Sequence, residues 1–417
     1  MQRTRRTIHT PRLSLAAVAL GWALASGAAL AQPPTPPLTL KALFERAWAR
    51  QPEAQSAVLR REAAQAARNG ASSWTAEPVA LELQATTDRP GSKQGNREVE
   101  VGLAMPLWLP GERTRKAALG DAEIKAVESR RLAAQLQLAA TVREAWWALQ
   151  RAQAELGLAQ DRLLSAQRLK VDVARRFKAG DMSRADQTQA DGAVAQAEAA
   201  VAESAGARDV AQAALAAWGG GAVADAAEPE AEALPAIGLP ADHPAVADWQ
   251  DQAEVARRAA DLAAVQTRAN PELTVGATRG REQSGERYLQ TFTVGVRVPL
   301  GGGERARAKE AAALADALDA EVRARIEQDR LAADVAAAAA RVKATQAQRE
   351  AMARHAALAR DTRGFIDKAF RLGEADWPTR LRVELDAVQA ERQLVRARID
   401  AAAAVSTLRQ AMGLLPQ

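Results

Sequence analysis

Apolar and polar residues alternate strictly in four short stretches of the chain and recur at helical spacing elsewhere. The alternating sets are Val79, Leu81, Leu83, Ala85 and Val99, Val101, Leu103, Met105, then Leu273, Val275, Ala277 and Phe292, Val294, Val296, Val298. A period of two predicts strands over 79–87, 98–107, 272–279 and 289–299, each with one apolar face. The turns joining each pair, 88–97 and 280–287, are long and polar, whereas soluble hairpins usually close in about two to five residues. The strand lengths suit the ~9–11 residues of a tilted transmembrane strand. Four strands do not close a barrel, so membrane residence requires several copies of the chain. Trp74, Trp108 and Tyr288 stand near strand ends, where an aromatic girdle would lie. A small soluble sandwich is the other structure this pattern allows.

The remaining sequence reads as helix. No proline occurs between Glu112 and Ala179 or between Glu304 and Leu372, so each stretch predicts a helix on the order of 100 Å long, at ~1.5 Å per residue. In the first, Val142, Leu149, Leu156 and Leu163 recur every seven residues, each followed three places on by Ala145, Ala152, Ala159 or Ala166. That period specifies a coiled-coil seam, and its alanines admit close helix neighbours. Both long helices run into a glycine, Gly180 or Gly373, suited to a left-handed turn, with Ser183 and Asp376 as N-caps of returning helices 184–218 and 377–412. Shorter helices are predicted over 38–67 and 241–269. Stacked end to end with the returning helices, they give four helical columns.

These signals come twice, with a shift of about 193 positions. Pro78 answers to Pro271, Val101-Gly102 through Leu107 to Val294-Gly295 through Leu300, Gly111-Glu112-Arg113 to Gly303-Glu304-Arg305, and Phe177-x-x-Gly180 to Phe370-x-x-Gly373. The fold class is therefore mainly α with a small β part, built from a duplicated helix-strand-strand-helix-helix unit. The units are 32–218 and 241–413, joined by an Ala-, Glu- and Pro-rich linker, 219–240, expected outside the tube and solvated. Residues 414–417 form a short tail. Residues 1–31, with Arg3, Arg5, Arg6 and Arg12 before an apolar run ending Ala29-Leu30-Ala31, read as a cleaved export signal.

Without that leader, 52 basic residues face 51 acidic ones, so the high isoelectric point argues for no nucleic-acid partner. Cysteine is absent, which excludes an N-terminal acyl anchor on the mature chain. No later stretch has the ~18–20 apolar residues of a membrane helix. His243 and His355 are the only histidines after the leader, so no metal site, cofactor or catalytic constellation is expected and the chain does not read as an enzyme. His243, before Pro244, reads as a surface residue, and the 228–232 glutamates as solvated linker. Gly301-Gly302-Gly303 lacks the Lys-Ser/Thr of a phosphate loop.

The duplicated order, with the segments 105–113, 298–305, 177–186 and 370–374, resembles the TolC family of outer-membrane efflux proteins across nearly all of the mature chain. The resemblance implies a homotrimer whose twelve strands form one outer-membrane β-barrel in the lipid, continuous with a periplasmic α-helical barrel. It implies a periplasmic membrane-fusion adaptor and an inner-membrane pump of the RND or ABC type as partners. The Pro-Leu-x-x-Gly-Glu-Arg form is similar to the CzcC-like heavy-metal branch. Family aspartates near the hairpin tips line a constriction that affects cation passage. By that resemblance Gly180, Asp181, Asp186, Gly373, Glu374 and Asp376 mark the tip, gate and adaptor-docking region, and Pro78, Pro106, Pro271 and Pro299 the barrel-to-helix swivels. The second tip departs, with Thr379, Arg380 and Arg382 in place of acidic residues. Asp181 or Asp186 has an equally good reading as a helix N-terminal charge. A type I secretion conduit, a periplasmic adaptor and a structural envelope coiled coil are the rival functions.

Overall fold

The computed structural model describes residues 39–417, apart from 90, 92–93, 220–231, 237, 239 and 241. The export signal over 1–31 and most of the 219–240 linker lie outside the described residues. The elements are α1 (Leu40–Ala49), α2 (Pro52–Gly70), β1 (Ala80–Thr87), β2 (Arg97–Pro106), α3 (Glu112–Ala179), α4 (Arg184–Gly219), α5 (Pro244–Val265), β3 (Glu272–Arg281), β4 (Leu289–Arg297), α6 (Gly303–Leu372) and α7 (Trp377–Ala411). The unit recurs with matched dimensions: α3 and α6 have 68 and 70 residues, and α4 and α7 have 36 and 35.

The strands form one antiparallel sheet in the order β1-β2-β3-β4. Its register collects the alternating apolar residues onto a single face. Leu83, Val101, Ala277 and Phe292 make one row across the sheet, and Leu81, Leu103, Val275 and Val294 the next. Most of these side chains are exposed, Phe292 by 78%. The opposite face is polar. There Glu82 and Glu98 lie across Gly102 and Gly280 of the neighbouring strand, and Glu100 reaches diagonally toward Gly276, where the missing Cβ leaves them room.

Helices pack side by side in two tiers that share the long pair. Beside the sheet the sequence of neighbours is α2, α3, α5, α6; toward the hairpin tips it is α4, α3, α7, α6. The largest core lies where the tiers meet. It joins Leu43 and Phe44 of α1, Val142, Trp146 and Leu149 of α3, Leu215 of α4 and Ile399 of α7. Val142 and Leu149, the seam positions named from sequence, are fully buried here, while Leu156 and Leu163 are half-buried.

Each tier ends in an open edge. β1 and β4 have free flanks, α2 exposes Val58 and Leu59, and α6 exposes Leu314, Leu318, Val322 and Ile326, four residues apart along one stripe. Toward the tip α6 also exposes Leu358, Phe365 and Leu372.

The structure corrects two helix expectations. The helix expected over 38–67 is broken between α1 and α2, because Pro52 takes the first helical position and holds Gln51 extended. The helix expected over 241–269 is confined to 244–265: His243 caps its start, and its last residues give way before the Asn270-Pro271 entry to β3. Among the described residues no helix is long and apolar enough to cross a membrane.

Candidate functional site

At the far end of the long helices, both tips close by the same backbone device. Gly180 and Gly373 adopt φ of 87° and 81°, and the Asp181 and Glu374 N–H groups bond back to the Arg176 and Ala369 carbonyls. This six-to-one bond caps the last turn and needs a residue at ease in the left-handed region. The returning helices start differently. Asp376 Oδ1 accepts from Thr379 N at 3.1 Å as an N-cap. Ser183 and Asp186 form a reciprocal box: Asp186 N donates to Ser183 Oγ at 3.2 Å, while Asp186 Oδ2 accepts from Ser183 N and Oγ at 2.9 and 2.7 Å. These bonds hold the Asp186 carboxyl below its ordinary pKa, the hydroxyl bond contributing most. Asp186 is thus turned back onto its own helix, and Asp181 is exposed beside it.

The two tips are tied together by Phe370, which the sequence marked as part of the repeat without a packing role. Phe370 of α6 packs with Val173 and Trp377. The guanidinium of Arg176, from α3, lies 4.1 Å from its ring centroid, and that of Arg380, from α7, lies 4.7 Å away. Arg380 is oriented by Asp367 at 2.8 Å. Of the two arginines noted in the second tip, Arg380 is therefore engaged in tip packing, and the cue available in sequence was the Phe-x-x-Gly match.

Where strands pass into helices, the four prolines take separate places. Pro106 ends β2 and its carbonyl accepts from Ala76 N at 3.0 Å; the Pro271 carbonyl accepts from Leu107 N at 2.7 Å. Pro78 and Pro299 flank β1 and β4 at the open edges. Between them sits a buried carboxylate, Glu112. It accepts from Leu109 N at 3.0 Å, Asn270 Nδ2 at 2.7 Å and Gln266 Nε2 at 2.7 Å. Burial opposes its charge, yet these donors together keep its pKa below the ordinary value. Its repeat partner Glu304 is exposed and, among the described residues, meets only Arg307. Trp108 donates to the Ser73 carbonyl at 3.2 Å, under Lys116, and Trp74 is 94% exposed.

The middle of the molecule holds a buried ionic node that overturns two expectations. Glu232 is not solvated: its side chain is 4% exposed, as are those of Arg143 and Arg409. Its carboxylate accepts from Arg143 Nη2 and Nε at 3.0 and 3.3 Å and from Ser406 Oγ. Arg409 Nε stands 3.2 Å away as an ion contact without hydrogen-bond alignment. Arg143 Nη1 also reaches Gln410 Oε1 at 2.6 Å and the Leu414 carbonyl at 3.0 Å. Burial pushes the Arg143 guanidinium down and Glu232 opposes that shift. The other 228–231 positions lie outside the described residues. His243 is not a surface residue either. It is 1% exposed, its Nδ1 accepts from Ala245 N at 3.2 Å, and Gly413 packs against the ring. Burial holds its pKa below the ordinary value.

The sheet, the helical tiers and the tips thus lie in series along the long helices. The family model described as outer membrane efflux protein matches residues 43–221, the first unit. Among solved structures, the outer membrane protein VceC of Vibrio cholerae matches at TM-score 0.74 and 18% identity, over 91% of this chain and 97% of that one. The chain has the fold of the outer membrane efflux proteins. CusC matches this efflux-protein fold at TM-score 0.72 and 17% identity, over 90% and 92% of the two chains. The open-state MtrE outer membrane channel of Neisseria gonorrhoeae matches it at TM-score 0.69 and 18% identity, over 90% and 89%. No curated protein matches by sequence at a significant level. In the efflux-protein fold of this chain, the tips, the Glu112 carboxylate at the strand-to-helix passage and the buried ionic node are three separate fixtures along the long helices.

Proposed function

We propose that the chain is the outer-membrane conduit of a tripartite efflux system, conducting solutes passively and doing no chemistry itself. Three copies join edge to edge. β4 and α6 of one protomer meet β1 and α2 of the next, closing twelve strands into a barrel and the helical tiers into a periplasmic tunnel. The apolar sheet face meets outer-membrane lipid, and the polar face lines the pore. The tips receive a periplasmic adaptor, and through it an inner-membrane pump. The observation that carries this reading is the coincidence of the open edges: in sheet and helices alike, the first unit ends at one flank and the second at the other. Such a heterologous contact closes into a ring when its rotation permits. Glu82, Glu98 and Glu100 repeat around that lumen and favour cations, in keeping with a heavy-metal cargo.

The test is purification from outer membranes followed by planar-bilayer recording. A heat-modifiable, detergent-requiring trimer with discrete conductance supports the conduit; a soluble monomer without conductance overturns it. For the cargo, Glu82→Gln with Glu98→Gln and Glu100→Gln shifts the reversal potential toward lower cation preference. Unchanged selectivity removes these residues from the pathway.

A further inference from the structure

At the distal end of the apolar sheet face, next to the polar turns, the lipid-type surface gives way to arginine. Arg97 and Arg281 are direct cross-strand partners, and Arg279 lies two residues along β3 on the same face. The Arg279 and Arg281 guanidiniums lie 5.2 and 5.1 Å from the Tyr288 ring centroid. Among the described residues none of the three arginines forms an ion pair, and Arg281 Nε is shielded from solvent with no hydrogen-bond partner. The carboxylates of the same strand, Glu98 and Glu100, belong to the opposite face.

We propose that this rim binds the phosphate groups of an anionic glycolipid in the outer leaflet, through Arg97, Arg279 and Arg281. The proposal rests on the conduit reading, which sets this face against lipid. Three features support the occupant. The apolar rows lie directly beneath, so a ligand here has acyl chains to lay against Val99 and Val101. Guanidinium forks match phosphate oxygens bidentately. Stacking on Tyr288 fixes their planes in advance, which lowers the ordering cost of binding. Arginine is costly at the bilayer midplane of a barrel and well tolerated at its interface, so three on one rim are placed where headgroup phosphates lie.

The test uses the full-length trimer in detergent, titrated with diphosphorylated lipid A and with its dephosphorylated form, bound lipid being counted by native mass spectrometry. The unaltered protein prefers the phosphorylated lipid. The R97Q/R279Q/R281Q variant loses that preference by roughly a hundredfold, at about fivefold for each arginine near an anionic surface, while keeping its conductance. Equal preference in variant and parent overturns the proposal, as does displacement of the lipid by inorganic phosphate at equal concentration, which marks a free-phosphate site. A parent that does not insert at all overturns the conduit reading instead. Should the triple variant not assemble, Arg281→Gln alone is expected to weaken binding several-fold, and Tyr288→Leu, which keeps every charge but unstacks two, to weaken it less. Parental affinity in both overturns the proposal.

Discussion

Replacing Glu232 by alanine tests how the linker is held to the helical tiers. The carboxylate is shared by two buried guanidiniums and a serine hydroxyl, so its loss strands two positive charges near each other in a desolvated site. Breaking a buried ion pair from one side costs about 3–5 kcal/mol. Among the described residues Arg143 then keeps only neutral partners, Gln410 Oε1 and the Leu414 carbonyl, and Arg409 keeps the Ala233 carbonyl at 3.0 Å, so the upper part of that range applies. At roughly 2–4 °C per kcal/mol, melting should fall on the order of 10 °C. Glu232→Gln, which retains an acceptor, should fall less.

Two measurements check this: thermal unfolding of the purified protein, and limited proteolysis between α4 and α5. The same reasoning requires that Arg143→Met, Arg409→Met and Glu232→Leu combined be far milder than Glu232→Ala alone, because no charge is then left without a counter-charge. A melting profile and cleavage rate for Glu232→Ala superposable on those of the parent would refute the argument. So would a combined variant worse than the single one.

Gly180→Val or Gly373→Val meets no steric obstacle, since nothing lies near the added Cβ. The cost is the left-handed backbone, about 1–2 kcal/mol, with asparagine milder; impaired adaptor docking and efflux at normal trimer yield is the expected result, read by pull-down and resistance assay. Asp186 stays charged well into acid, because hydrogen bonds to Ser183 lower its pKa. Its capping contribution is present above the ordinary aspartate range and is lost only as pH falls through the lower folded value. Asp186→Asn should therefore loosen the start of α4 near neutral pH, seen as faster amide exchange there, and a change in cation preference of the closed pore would add a gating role. His243 has its pKa depressed by burial. The unfolded chain therefore takes up its proton first, and stability should decline as pH falls below about 6.5. His243→Asn, which keeps a cap acceptor, should flatten that decline in a melting series; an unchanged slope removes His243 as its source.

Much of the architecture was legible because it rests on long periodic signals. Strand alternation placed all four strands within two residues of their ends, and the proline-free stretches placed α3 and α6. The Gly-centred turns were visible for the same reason: a left-handed C-cap and a Ser or Asp N-cap are local chemistry. The break at Pro52 was a local signal overridden by the apolar run on both sides of it. Glu232 and His243 were illegible on different grounds. A glutamate in an Ala-Pro-Glu segment looks like solvent-exposed linker. Its burial depends on Arg143 and Arg409, 89 and 177 positions away, which carry no mark in sequence as its partners.

The same limit explains the joints between strands and helices. Glu112 and Glu304 occupy matched positions in the repeat, and sequence alone treats them alike. Glu112 is enclosed because the neighbouring column, the end of α5, belongs to its own chain and supplies Gln266 and Asn270. At the other strand-to-helix joint, α6 forms the outer flank and, among the described residues, Glu304 is left with Arg307. The positions that answer to Gln266 and Asn270 in the first unit are Ser73 and Glu77, so a neighbouring copy offers no matching pair of amides. One joint is internal and rigidly hydrogen-bonded. The other lies at the open flank, where, under the proposed ring closure, a rigid carboxylate-amide node would have to form anew each time two chains meet. The repeat is therefore symmetric in its elements and asymmetric in its joints, and that asymmetry follows from which seams are covalently closed.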